Sequence, residues 1–351
     1  MFKLIRWLLV GLAVQVISAC GSGVASGGPE ASILGMTLSA DGNTLYLANT
    51  NKHIVQSLNL TTLSVSTYAG SSGAAGATNG TGTNARFSAP YALVNVGGSL
   101  FVADTYNHSI RQIDATQAVT TFVGALKSAG STDGTGNAAL FYFPKGITRS
   151  GTDLYIADTS NYLIRKVTSA GVVTTVAGSS GLTGYVDGTS GAKFGAPFAV
   201  AANATYVFVS DSSNNAIRSV KISDGTVATV AGSTLGDSGA TDATGTSARF
   251  TTPAGIVGDG ASTLYVADSG NHTIRKIDLG TTPATVTTIA GTAGIAGSAD
   301  GAGTVSAKFN TPFGLALDAA NGILYVSDQN FTKVRKIVLA TGVVSTLNVT
   351  F

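Results

Sequence analysis

The chain has 351 residues and is poor in charge: 20 Lys+Arg and 18 Asp+Glu make up 11% of it, against about 25% in an average soluble protein. With 44% hydrophobic residues and 45 glycines, that composition excludes a charge-driven disordered chain and a long coiled coil. Glu30 is the only glutamate, and one Cys and three His leave no material for disulfides or multi-Cys metal sites.

In chain order, residues 1–19 read as a signal peptide. Lys3 and Arg6 precede an apolar stretch from Trp7 to Val16, which is too short to span a bilayer of about 30 Å. Ile17-Ser18-Ala19-Cys20 follows and resembles a bacterial lipobox. The resemblance implies cleavage before Cys20, acylation there and membrane anchoring through the acyl chains. Residues 20–32 form a flexible Gly/Ser-rich tether spanning roughly 20 Å. Gly21, rather than Asp, after Cys20 favours by resemblance the outer membrane of the envelope. Without the two signal cations the exported chain carries 20 − 2 = 18 Lys+Arg against 18 acids. No later apolar stretch is long enough to span a membrane.

Residues 33–351 repeat six times. An aromatic–aliphatic–small–Asp/Asn anchor recurs with its last residue at Asn49, Asp104, Asp158, Asp211, Asp268 and Asp328, at spacings of 55, 54, 53, 57 and 60. Each repeat holds four short alternating runs bounded by Gly, Asn, Asp and Ser, and no helical period appears after the signal. The pattern predicts an all-β fold: a six-bladed β-propeller of four-stranded antiparallel blades. The string Tyr265-Val-Ala-Asp-Ser-Gly-Asn-His-Thr-Ile-Arg-Lys-Ile277, preceded by Pro253-Ala-Gly-Ile, resembles the NHL-repeat family. Repeat one departs from it at Asn49 and Gln56, and repeat six at Phe331. In phase, strand one of blade one begins the ring and strand four of blade six, around Val343 to Leu347, ends it. No blade is shared between the two ends, so closure is expected to rest on side-chain packing alone.

Each anchor Asp precedes an Arg by seven residues: Asp104 and Arg111, Asp158 and Arg165, Asp211 and Arg218, Asp268 and Arg275, Asp328 and Arg335. A hairpin with a four-residue loop puts the two on one sheet face. In repeat one both charges vanish together, as Asn49 and Gln56. Structural ion pairs are therefore favoured over a ring of catalytic or metal carboxylates. His53, His108 and His272 each lie four residues after an anchor, in the turn between strands two and three. Adjacent blades stand about 10 Å apart, too far for these His to share a metal that needs ligands near 2 Å.

Long Gly-rich loops link successive blades, as from Asn79-Gly80 to Pro90 and from Asp300-Gly301 to Pro312. Phe87, Phe141, Phe194, Phe250 and Phe309 recur in them as expected wedges between blades. The Asp-Gly and Asn-Gly pairs read as turn chemistry. Calcium is the weaker alternative, because the loops lack the EF-hand spacing, and no cofactor is expected. The residue after each loop proline opens the innermost strand beside the channel: Tyr91, Lys145, Phe198, Ala254 and Phe313, with Leu34 in blade one. These positions escape the repeat. Leu34, Tyr91, Lys145, Phe198 and Phe313 are candidates to hold a sugar, a peptide end or an apolar ligand, with packing under the loops the competing account.

Sparse, balanced charge and an export signal exclude nucleic acid. Similarity in architecture to lactonase-like and lyase-like propellers implies a hydrolase or lyase. The residues oppose it: Glu30 lies outside the propeller, and the three His sit in repeat turns. A non-enzymatic module for an envelope protein or glycan is favoured over catalysis, and a passive spacer is the third option.

Overall fold

The structure, a computed structural model, describes residues 32–328 and 330–351. The expected signal peptide, Cys20 and the tether up to residue 31 lie outside the described residues.

The chain forms six antiparallel sheets, each from strands consecutive in sequence. Blade one comprises Ile33–Leu38, Thr44–Asn49, Ile54–Asn59 and Val65–Gly70. Blade six comprises Leu315–Asp318, Ile323–Asp328, Lys333–Val338 and Val343–Thr346. The first strand of each blade is innermost and touches the first strands of both neighbours, so six inner strands close a ring around the channel. Close approach there needs glycine. A Cβ on Gly35 would lie 2.5 Å from Tyr91 O, and one on Gly255 2.0 Å from Phe313 O.

Four blades differ from the four-stranded expectation. A two-residue fifth strand lies outside strand four in blades two, three, five and six: Gly80–Thr81, Gly134–Thr135, Ala243–Thr244 and Gly301–Ala302. Each comes from the loop that enters the blade. In blade four a single bridge, Gly188 to Val227, takes its place. Two-residue segments such as Gly-Thr are too short to show alternation, which is why they read as turns in the sequence.

The core is a set of seams rather than one centre. Phe87, Phe141, Phe194, Phe250 and Phe309 are fully buried. Phe141, for example, packs with Ala103 and Val123 of blade two and Ile156 and Val167 of blade three. Burying such a ring contributes roughly 2–3 kcal/mol. Hydroxyls add a second tie at these seams. Thr50, Thr105, Thr159, Ser212 and Ser269, each following an anchor residue, donate to the carbonyls of Pro90, Pro144, Pro197, Pro253 and Pro312 in the next blade.

The last seam closes by more than the side-chain packing expected from the sequence. Ile33 N–H donates to Phe331 O at 2.8 Å, joining blades one and six through the backbone. Leu347, Val349 and Phe351 run on from the last strand and pack against Ile33, Leu45 and Leu47. Lys52 Nζ donates to Phe351 O at 2.8 Å.

Candidate functional site

Two kinds of site lie on the face where the inter-blade loops and the strand two-to-three turns emerge. One repeats with the blades and the other does not.

The repeating site is an arginine hub. Arg111, Arg165, Arg218, Arg275 and Arg335 are fully buried and sit 2.8, 2.8, 3.1, 2.7 and 2.7 Å from Asp104, Asp158, Asp211, Asp268 and Asp328. Blade three shows the full arrangement. Arg165 donates to Asp158, to Asp133 and to the carbonyls of Leu140 and Thr132. Its guanidinium carbon lies 5.1 Å from the Phe141 ring centroid. Asp158 also accepts from the Tyr142 N–H and from Asn161, which reaches on to Gly130 O. The hub thus pins the loop that enters its own blade. A bulge after Ile164 resets the register at Arg165, and Thr175 of strand four meets Asp133 through both its N–H and its hydroxyl.

Asn79, Asp187, Asp242 and Asp300 hold the equivalent place on Arg111, Arg218, Arg275 and Arg335. This corrects the turn assignment: the acid or amide of each Asp/Asn-Gly-type pair is the arginine's second partner. In blade one Asn49 Nδ2 donates to Gln56 Oε1 at 2.8 Å, a neutral version of the hub. Burial pushes the carboxyls of Asp104, Asp158 and Asp268 up to about 6, while the guanidinium and N–H donors pull the other way. At neutral pH these carboxylates are ionised and engaged on both oxygens.

The histidines are latches between blades. His53, His108 and His272 accept at Nδ1 from the N–H groups of Ala89, Phe143 and Thr311 at 3.1, 3.2 and 3.1 Å. Those three residues are left-handed, with φ of 51°, 50° and 59°. That conformation costs about 1–2 kcal/mol in a residue with a Cβ. At the fourth such seam Asn215 Oδ1 accepts from left-handed Thr252. Tyr162 has no equivalent acceptor, and the matching Ala196 is not left-handed; its N–H goes to Asp211 instead. Burial lowers the pKa of all three histidines, which suits neutral acceptors. Among the described residues no three His, Cys, Asp or Glu side chains gather as a metal site.

The non-repeating site is the channel mouth. The structure brings together Leu34, Phe198, Ala254 and Phe313 as a buried cluster, with Tyr91 and Phe331 against it. Tyr91, Phe198 and Phe313 meet pairwise with ring centroids 5.4, 6.0 and 5.2 Å apart, and Phe331 lies 4.8 Å from Phe313. They meet across the channel rather than under the long loops. Lys145 is half-buried among them, its Nζ 4.6 Å from the Phe198 centroid and 5.3 Å from that of Tyr91. Burial lowers its pKa to about 8 and raises that of Tyr91. Among the described residues Lys145 Nζ has neither an ion-pair nor a hydrogen-bond partner.

Beside this plug stands an aromatic platform absent from the sequence-derived candidates. Tyr106 and Tyr142 are each 39% exposed. Tyr106 contacts Phe143 at 5.2 Å, and His108 contacts Phe143 and Tyr142 at 4.7 and 5.6 Å. Phe143 links platform and plug along the chain, two residues before Lys145, whose Nζ lies over the Tyr91 ring. A signal was present. Where other repeats read Phe-Ser-Ala-Pro or Phe-Thr-Thr-Pro, this one reads Phe141-Tyr-Phe-Pro144. Elsewhere, a pocket of about 410 Å³ on the outer rim, lined by Thr244, Ser247, Thr281 and Pro283, holds no titratable side chain.

No protein-family model matches the chain. It is 36% identical over 145 residues to NHL repeat-containing protein 2 of Bos taurus, covering 40% of this chain and 20% of that one. It is 27% identical over 307 residues to NHL repeat-containing protein 2 of Homo sapiens, covering 78% and 42%. The chain spans less than half the length of these curated relatives. Among solved structures it resembles an auxiliary nutrient binding protein from Bacteroides thetaiotaomicron, with TM-score 0.64 at 15% identity over 91% of this chain and 70% of that one. A streptogramin B lyase superposes with TM-score 0.56 at 13% identity, covering 91% and 83%. Likeness at such identities carries the fold alone. The chain is a six-bladed β-propeller whose sequence is similar to that of NHL repeat-containing proteins.

Proposed function

We propose that this protein is an exported, lipid-anchored propeller that binds an envelope protein or glycan through its loop face and performs no chemistry. The observation that carries this reading is the aromatic platform of Tyr106 and Tyr142. Two half-exposed rings, backed by His108 and Phe143, stand where the repeat is broken, at the segment that leads into Lys145 of the mouth. Exposed aromatics offer large contact area at low entropic cost, which favours recognition.

Two further features support binding over catalysis. The buried anchor carboxylates are occupied by arginine, asparagine and backbone donors, and each histidine Nδ1 is occupied by a backbone N–H. A general base needs a free lone pair aimed at substrate. The proposed anchor is Cys20 in the lipobox-like segment, and the proposed address is the outer membrane.

The test is a screen of the purified protein against envelope fractions and a glycan array, beside a Tyr106→Ala/Tyr142→Ala variant with unchanged circular dichroism. Binding lost in the variant supports the loop-face site. Binding retained at full strength places recognition elsewhere. Fatty-acid labelling that vanishes in Cys20→Ser tests the anchor.

A further inference from the structure

Lys145 is the unexplained group of the mouth. It is the only charged residue among the six that open the inner strands. Its ammonium lies over Phe198 and Tyr91 and, among the described residues, meets no anion. Rings offset part of the cost of removing a cation from bulk water, but a hydrogen-bonded anion offsets far more. Lys145 immediately follows Pro144, at the loop-face end of its strand, and Phe143 two residues before it belongs to the platform. The platform and the lysine are thus joined through Phe143 and Pro144, a link that carries a ligand on Tyr106 and Tyr142 towards the channel mouth.

Resting on the loop-face reading above, we propose that the ligand is an acidic saccharide, its sugar ring stacked on Tyr106 and Tyr142 and its carboxylate paired with Lys145. A sugar fits better than a peptide because the platform's backbone is already used. Tyr106 N–H donates to Ser88 O, His108 N–H to Thr105 O and Phe143 N–H to His108 Nδ1. These three main-chain donors are thus unavailable to a peptide, whereas a pyranose uses the ring faces, the tyrosine hydroxyls and the cation.

The experiment is calorimetric titration of the purified protein with tri-galacturonate, its methyl ester and a hexaglutamate peptide. Wild type, Lys145→Met, Lys145→Arg and Tyr106→Ala/Tyr142→Ala are compared, each with its melting temperature. Tri-galacturonate is expected to bind at least about tenfold tighter than the ester. Lys145→Met is expected to erase that preference by weakening acid binding far more than ester binding, and Lys145→Arg to keep most of it. Equal affinity for acid and ester, or a preference that survives Lys145→Met, overturns the proposal while the loop-face reading stands. Hexaglutamate binding as tight as tri-galacturonate overturns the choice of a sugar. No saccharide binding by a folded wild type overturns the proposal. Saccharide binding unaffected by the tyrosine substitutions overturns the loop-face reading as well.

Discussion

The arginine hubs and the channel mouth lie on the same face and use similar residues, yet they behave as opposites. At a hub, the cation is fully buried and engages two acidic or amide side chains, two carbonyls and a phenylalanine ring, and the set recurs around the ring. At the mouth, the lone cation Lys145 meets no counter-charge among the described residues, the aromatic residues around it vary from blade to blade, and two tyrosines of the platform face water. A densely bonded, repeated network ties loops to blades, with only the buried Nε of Arg111, Arg165, Arg275 and Arg335 left unbonded among the described residues. A sparsely bonded, unrepeated one is available to something outside the chain.

The largest effect that breaks this contrast comes from the hub. Arg165→Met leaves Asp158 buried without its cation and releases the Asp133 loop, with an expected loss of about 3–5 kcal/mol in chemical denaturation. A loss under about 1 kcal/mol would mean that the hubs do not organise the fold.

Lys145→Met moves stability the other way. The folded pKa of Lys145, about 8, lies below its ordinary 10.5, so its charge penalises the fold at neutral pH. The penalty fades as pH rises through 8 towards 10.5, because the unfolded chain holds the proton longer. The variant is expected to be more stable than wild type by about 2 kcal/mol at pH 7, a value reduced for the solvent that reaches the channel. The two should converge above pH 10.5, as denaturation at a series of pH values would show.

Asp133 is 48% exposed although it pairs with a buried arginine. Asp133→Asn, which copies Asn79 of blade two, is expected to cost under about 1 kcal/mol by the same denaturation assay.

The smallest effect sharpens the latch assignment. Burial depresses the histidine pKa values, so the unfolded chain takes up protons first and the latches lose stability as pH falls through 6.5 and below. A His53→Asn/His108→Asn/His272→Asn variant follows the example of Asn215, which accepts the same bond and suits left-handed backbone. Its melting temperature is expected to fall less than that of wild type between pH 7 and pH 5.

What was legible in the sequence follows the same division. Blade number and inner-strand phase can be read because the anchor recurs at regular spacing. The Asp–Arg pairing can be read because both charges vanish together at Asn49 and Gln56. The fifth strands are silent, since two residues carry no periodicity. The second partner of each arginine was hidden because Asp133-Gly134 has the composition of a turn as well as of a clamp. Tyr106 and Tyr142 are hard to read because they lie in the turn and loop, outside the inner-strand positions that face the channel. The tie from Lys52 to Phe351 joins positions 299 residues apart, a pairing that no local pattern encodes.

The central claim is that recognition occurs where the repeat is broken. Hydrogen–deuterium exchange of the purified protein, with and without an envelope ligand captured from the binding screen, tests it most directly. The account predicts ligand-induced protection confined to residues 105–108 and 141–145 and to Tyr91, with the matching turns of blades four and five unchanged. Protection spread evenly over the six blades, or centred on the outer-rim pocket at Thr244 and Thr281, would contradict it.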